Sequence, residues 1–188
     1  KKRVLHVPPD ALKSGQKNIH KFLSRQMKWP DAVHGFVRKR SHLTSASRHL
    51  NARALLTIDF KNAFDSVTFS LVYWALAQRL DLDFTIIQRL AELTTHRGHL
   101  SQGAPSSPLI FNMVALNLDE RLALYAERRG YVYTRYTDEI AISSHNPIPE
   151  QERRKIIGIC RYEGFRVAPE KVRYQEQQRG TLEITNVL

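Results

Sequence analysis

Tyr131-Val-Tyr-Thr-Arg-Tyr-Thr-Asp-Glu-Ile-Ala-Ile-Ser143 consists of two short β-rich runs with two acids, Asp138 and Glu139, at their junction. Aromatic and β-branched residues on both sides favour strands, so the stretch predicts a hairpin. Two neighbouring carboxylates at a strand junction repel unless a positive group sits between them, and a divalent metal is the obvious candidate. An exposed acidic turn is the plain alternative, and the stretch alone does not separate the two.

A second acid-bearing strand lies upstream in Ala54-Leu-Leu-Thr-Ile-Asp59-Phe-Lys-Asn-Ala-Phe64-Asp65-Ser-Val67. Leu55 to Ile58 has the continuous apolar character of a strand buried on both faces. An aspartate directly after such a strand is costly unless hydrogen-bonded or metal-bound, which makes Asp59 the functional candidate. Asp65 with Ser66 is read as the N-cap of a helix through Leu80, with Val67, Leu71, Trp74, Ala75 and Ala77 or Gln78 facing inward.

Around these two strands the pattern is mixed helix and strand. Residues 11–28 predict a basic amphipathic helix stopped at Trp29-Pro30. Residues 84–93 predict another helix, and 94–100 a basic turn or hairpin. Gln102-Gly-Ala-Pro105 favours a turn. Ser107 before Pro108 is a good N-cap, opening an apolar helix to about Arg129. A further helix is expected from Pro147 to about Tyr162, with Gly164 as its C′ residue. Residues 164–171 and 181–188 read as turn-and-strand segments. His49 is read as a structural hydrogen-bonding residue, because no second ligand stands at metal spacing around it.

The 188 residues carry a net charge of +11, spread over Lys1-Lys-Arg3, Lys13 to Lys28, Arg38-Lys-Arg40, Arg128-Arg129 and Arg153-Arg-Lys155. A dispersed basic excess fits a folded groove for a polyanion, most simply nucleic acid. The single cysteine, Cys160, excludes an internal disulfide and a cysteine-based zinc site. Its apolar surroundings point to a buried core thiol and a reducing, cytoplasmic compartment. No apolar run reaches membrane-spanning length and no leader is read at the start.

Taken in order, these stretches resemble the reverse transcriptases, specifically the bacterial retron and group II intron type. Ile58-Asp59-Phe60 with Ala63-Phe64-Asp65 is similar to that family's first catalytic motif. Gln102-Gly-Ala-Pro-Ser-Ser-Pro108, followed by Asn112, resembles the motif that supports template and incoming nucleotide. Tyr136-Thr-Asp-Glu139 resembles the Tyr-x-Asp-Asp hairpin, Gly164-Phe165 with Lys171 the fourth palm motif, and Leu182 to Leu188 the primer grip. The lead-in is similar too, in Arg3 to Pro8, Leu12-Lys13, Gln16 and His34-Gly-Phe36.

The resemblance implies an α+β fold: a right-hand polymerase palm, built as a small antiparallel sheet with supporting helices, plus partial fingers. Fingers would comprise residues 1–34 and 67–106, and palm residues 35–66 and 107–188. A thumb or accessory domain is expected beyond residue 188. The implied reaction is RNA-directed DNA synthesis, in which deoxynucleoside triphosphates extend a primer strand on an RNA template. It uses two Mg²⁺ ions about 4 Å apart, with Mn²⁺ as a substitute. Asp59 and Asp138 would bridge the metals, Glu139 would add a carboxylate, and the Phe60 carbonyl would help hold the nucleotide-side ion. Phe64 matches the steric gate that excludes a 2′-hydroxyl. Gln102 and Gly103 would line the nucleotide pocket, Arg3 would grip the triphosphate, and Lys171 would be general acid to the pyrophosphate leaving group.

Two departures stand out. The family usually has Asp where this chain has Glu139, which keeps the charge on a side chain one methylene longer. The retron Asn-Ala-x-x-His and Val-Thr-Gly elements correspond only partly to Ser45-Ala-Ser-Arg-His49 and Ile184-Thr-Asn186. A defence-associated or domesticated bacterial enzyme therefore fits as well as a true retron enzyme. The alternatives are an attenuated or inactive polymerase-like nucleic-acid-binding module and a template-independent nucleotidyltransferase.

Overall fold

The computed structural model of this chain describes residues 6–177. Its elements in chain order are α1 (Asp10–Gln26), α2 (His42–Ala46) running into a 3₁₀ turn (Ser47–His49), β1 (Ala54–Asp59), α3 (Ala63–Ser66), α4 (Phe69–Arg79), α5 (Phe84–Thr94), β2 (Thr95–His96), β3 (His99–Leu100), α6 (Ser107–Val114), α7 (Leu116–Glu127), β4 (Val132–Tyr136), β5 (Glu139–Ser144), α8 (Glu150–Tyr162), a 3₁₀ turn (Pro169–Lys171) and β6 (Arg173–Glu176). They fall into two compact units, one of Lys1–Lys28 with Asn62–Ala115 and one of Trp29–Lys61 with Leu116–Leu188.

The first unit is a helical cluster with a small hairpin. Helices α1, α4, α5 and α6 pack on one another around Leu23, Val72, Leu76, Ile87, Ala91 and Ile110, all buried. The Gln16 amide on α1 donates to the Leu93 carbonyl of α5 at 2.8 Å, which fixes how those two helices meet. The hairpin β2–β3 closes the sequence expected to turn at 94–100, with Arg97 and Gly98 both at positive φ.

Three helix boundaries differ from the sequence reading. Asp65 does not cap a helix through Leu80: it lies exposed in the short α3, and α4 starts afresh with the Thr68 hydroxyl accepting from the Leu71 N–H. The later start turns Val72 and Leu76 inward and leaves Trp74 59% exposed. Ser107 is already inside α6, and Ser106 before it makes no side-chain cap. The single helix expected to Arg129 is interrupted at Ala115, where the Ala115 N–H reaches both the Phe111 and Met113 carbonyls. Such a tightened last turn ends a helix by satisfying its carbonyls locally.

The second unit is a four-stranded antiparallel sheet in the order β4-β5-β1-β6. The Val33 segment adds a parallel bridge to Arg135 outside β4, and Val167 an antiparallel bridge to Phe60 beyond the end of β1. The strand read at 164–171 thus contributes only this bridge, and the regular strand β6 comes after it. The apolar run of β1 is central, which is why it carries no polar alternation. Tyr133 and Arg135 of β4 face α7, whereas Thr134 faces α2 and the 3₁₀ turn, as strand alternation requires. Cys160 is fully buried on α8, and burial pushes its thiol up to about 12.

On the α2 side His49 is bonded through both ring nitrogens, Nδ1 to the Ser143 hydroxyl and Nε2 to the Thr134 hydroxyl, each at 2.7 Å. Burial, with His34 and Arg48 nearby, lowers its pKa from 6.5 to about 4. The neutral ring is therefore the folded form, and its full contribution to stability is present above pH 6.5. As pH falls from 6.5 towards 4 the unfolded chain takes up a proton that the folded chain refuses. Stability is expected to decline over that window by up to about 3 kcal/mol. Urea unfolding across the window measures this, and His49→Asn should flatten the dependence.

Candidate active site

The site begins at the end of β1. The strand register sets Ile58 opposite Ile140 and Asp59 opposite Glu139, so two acids from distant parts of the chain become direct cross-strand partners. Residues directly opposite in an antiparallel pair share a face. That face is the one away from α7. Asp138 sits in the two-residue turn between β4 and β5, and its carbonyl accepts from the Phe60 N–H at 3.0 Å. All three acids are half-buried.

On the other side of β1 the chain at 166–168 runs alongside. Lys61 N–H donates to the Arg166 carbonyl at 2.6 Å, and Ala168 N–H donates to the Asp59 carbonyl at 3.0 Å. Phe165 stacks on the buried Phe60 ring with centroids 4.6 Å apart. This alignment delivers Lys171, whose ammonium donates to both Asp59 carboxylate oxygens at 2.8 Å. The side chains of Asp59 and Lys171 are 25% and 48% exposed, so the pair is open to solvent and to ligands.

Asp59, Phe60, Asp138, Glu139 and Lys171 therefore lie together in the second unit. Phe64, Gln102 and Gly103 belong to the first. There Phe64 is half-buried, its ring tilted against that of Phe111 at 5.1 Å between centroids. The Gln102 carbonyl accepts from the His6 N–H at 3.1 Å, and Gly103 takes a φ of 105° that a side chain would strain. Arg3 and the stretch Leu182 to Leu188 lie outside the described residues.

The donor chemistry suits a hard divalent cation. The acids offer only carboxylate oxygens, and Asp59 already binds a cationic group through both of its oxygens. Among the described residues no three His, Cys, Asp or Glu side chains form a ready metal cage. Mg²⁺ does not need one, because it takes one or two carboxylates and completes its shell with water and substrate phosphates.

Sequence reasoning did not single out Arg135 and Asp119. Both are fully buried, joined by Arg135 Nε to Asp119 Oδ1 at 2.8 Å and Arg135 Nη2 to Asp119 Oδ2 at 2.7 Å. The Tyr133 hydroxyl donates to Asp119 Oδ1 at 2.6 Å, and burial beside that carboxylate holds the phenol well above its usual pKa. The signal was present in α7: Asp119, Leu122 and Ala126 recur at helical spacing, which puts an acid in a core stripe.

Residues 1–182 match the family model described as reverse transcriptase (RNA-dependent DNA polymerase). The retron Mx65 reverse transcriptase of Myxococcus xanthus is 35% identical over 206 residues, covering 98% of this chain and 47% of that protein. The retron Ec86 reverse transcriptase of Escherichia coli is 32% identical over 145 residues, covering 77% of this chain and 45% of that protein. The chain thus spans about half the length of the relatives it matches. Among solved structures, telomerase from Candida albicans with a TWJ fragment of telomeric RNA superposes with a TM-score of 0.59 at 11% identity, over 94% of this chain and 36% of that one. Apo telomerase from Candida tropicalis gives 0.60 at 9% identity, over 88% and 36%. At such identities the likeness concerns the fold, the α+β right-hand polymerase type. Motifs, register and relatives agree that this chain belongs to the reverse transcriptase (RNA-dependent DNA polymerase) family, in its bacterial retron type.

Proposed function

We propose that this chain supplies the catalytic portion of an RNA-directed DNA polymerase that extends a primer with deoxynucleotides. The observation that carries the proposal is the pairing of Asp59 with Glu139, with Asp138 bonded to Phe60 beside them. Sheet pairing thereby brings Asp59 to Asp138 and Glu139, which lie 79 and 80 residues further along the chain. In this reading residues 35–66 and 107–188 act as palm and residues 1–34 and 67–106 as fingers. A thumb or accessory domain elsewhere in the intact protein completes the grip on RNA template and primer. The dispersed charge of +11 supports a nucleic-acid groove.

Asp59, Asp138, Glu139 and the Phe60 carbonyl would hold two Mg²⁺ ions, or Mn²⁺ in their place. When bound, such ions acidify the primer 3′-hydroxyl and neutralise charge on the triphosphate and leaving oxygen. The protein's own part is positioning. The β1–β5 register fixes the spacing of Asp59 and Glu139, and the Phe60 N–H holds the turn that bears Asp138. Lys171 stands where its ammonium can exchange Asp59 for a pyrophosphate oxygen and give it a proton. Gln102 and Gly103 would line the nucleotide pocket, and Arg3 would hold the triphosphate. The proposed setting is the cytoplasm, in antiviral defence. No helix among the described residues is long and apolar enough to cross a membrane.

Phe64 is proposed to fill the space of a 2′-hydroxyl. Phe64→Val is expected to raise ribonucleotide insertion relative to deoxynucleotide insertion by about 10- to 100-fold. The ratio is the readout, because loss of the contact with Phe111 lowers both rates alike. An unchanged ratio assigns the ring to the core.

Glu139 favours a second reading, an attenuated polymerase. Its longer side chain stands directly opposite Asp59, and sites of this kind tolerate only about 0.5 Å of misplacement. Primer extension on an RNA template by the intact protein, compared with its Glu139→Asp variant, decides between them. Comparable extension by both supports a competent site. Extension by the variant alone establishes attenuation.

A further inference from the structure

Thr137, the residue before Asp138, sits at φ 59°, in the left-handed region. A β-branched residue there is an outlier that persists only where its surroundings hold it. Two contacts do so. The third guanidinium nitrogen of Arg135, Nη1, donates to the Thr137 carbonyl at 2.8 Å while the other two nitrogens are engaged by Asp119. Gly35 also approaches so closely that a Cβ there would overlap the Thr137 backbone nitrogen and α-carbon. Gly35 is itself held beside β4, because His34 N–H donates to the Arg135 carbonyl and Arg135 N–H donates to the Ala32 carbonyl, both at 2.8 Å.

A buried ion pair is a poor way to gain stability, since apolar residues of equal volume do as well or better. The pair here does something an apolar pair cannot: it fixes a guanidinium so that its remaining edge grips the turn. We propose that Arg135 is a positioning residue for the reaction, and that with Asp119 and Gly35 it braces the Thr137-Asp138 turn so that the Asp138 carboxylate is set against Asp59. The brace rests on the polymerase reading above. It adds to that reading an arginine and a glycine that touch no substrate.

The test separates positioning from fold support by removing the ion pair without leaving an unpaired charge. In the intact protein, Arg135→Met, Asp119→Leu and Tyr133→Phe are combined. Thermal unfolding, single-turnover insertion of a templated deoxynucleotide, primer–template affinity and Mn²⁺ affinity by electron paramagnetic resonance are then measured. The expected result is a parent-like or higher unfolding midpoint, unchanged primer–template affinity, about 100-fold slower insertion and severalfold weaker Mn²⁺ binding. Gly35→Ala, whose methyl would push on the Thr137 backbone, should slow insertion with the same pattern. Insertion and Mn²⁺ affinity within twofold of the parent would overturn the brace, whatever the unfolding midpoint. If the triple variant does not fold, Arg135→Lys decides by the same readouts, since it keeps the charge facing Asp119 but loses the fork. If the parent itself inserts nothing, the polymerase reading falls, and the Mn²⁺ comparison alone judges the brace.

Discussion

Asp59→Asn is expected to lower primer extension by about 10³-fold or more while leaving the thermal unfolding midpoint near that of the parent. The two halves of this expectation come from different atoms. The backbone bonds that build the site are the Ala168 N–H to the Asp59 carbonyl and the Phe60 N–H to the Asp138 carbonyl. Neither uses the carboxylate. The ion pair that is lost, with Lys171, is open to solvent on the lysine side and partly so at Asp59, and pairs reached by water contribute only about 1 kcal/mol or less. The charge that gathers a cation, in contrast, disappears entirely, because an amide of the same shape offers one neutral oxygen. Asp138→Asn should behave in the same way. Full activity in either variant, in a folded protein, would remove that residue from the proposed metal site.

Asp119→Ala is expected to have the opposite signature, a large loss of stability. The substitution strands the Arg135 guanidinium, fully buried, without its carboxylate, and deprives the Tyr133 hydroxyl of its acceptor. Breaking one side of a buried pair costs about 3–5 kcal/mol, a large part of the roughly 5–15 kcal/mol that holds a domain folded. In urea unfolding the variant should lose about that amount, and its thermal midpoint should fall by about 10 °C. A change below about 1 kcal/mol would mean that water reaches Arg135 and that the pair is not sealed in solution. The contrast with the triple apolar replacement is informative. That replacement removes both charges, so it should spare the fold and lose only the grip on Thr137.

Much of the sheet was legible in the sequence because its signals are local. The run Leu55 to Ile58 has no polar interruption and became the central strand. Tyr131 to Ser143 alternates in aromatic and β-branched residues and became the β4–β5 hairpin, with the acids at its turn and at the start of β5. The resemblance to reverse transcriptases rested on short motifs, and it led to the right family. Helix boundaries were less legible. Asp65-Ser66 and Thr68 are both acceptable caps, and the choice between them depends on the Leu100 N–H bonding the Val67 carbonyl and the Phe69 N–H bonding the Gly98 carbonyl. These are tertiary bonds that no local pattern encodes. Arg135 was hidden for a similar reason. In a strand of alternating character an arginine is read as a solvated position, and only the acid in the core stripe of α7 hints that it points inward. The partnership of Lys171 with Asp59 also depends on pairing, since residues 166–168 must first lie along the end of β1.

Asp59, Asp138 in the β4–β5 turn and Glu139 at the start of β5 are proposed to form the catalytic end of a template-reading polymerase. The decisive measurement is single-nucleotide insertion by the intact protein on four RNA templates that differ only in the base beyond a common primer end, with Mg²⁺ and all four deoxynucleoside triphosphates. The inserted deoxynucleotide is expected to change with the template base in Watson–Crick fashion, and insertion to disappear with Asp59→Asn. Insertion that ignores the template base, or that survives in Asp59→Asn, would rule out a templated polymerase centred on Asp59.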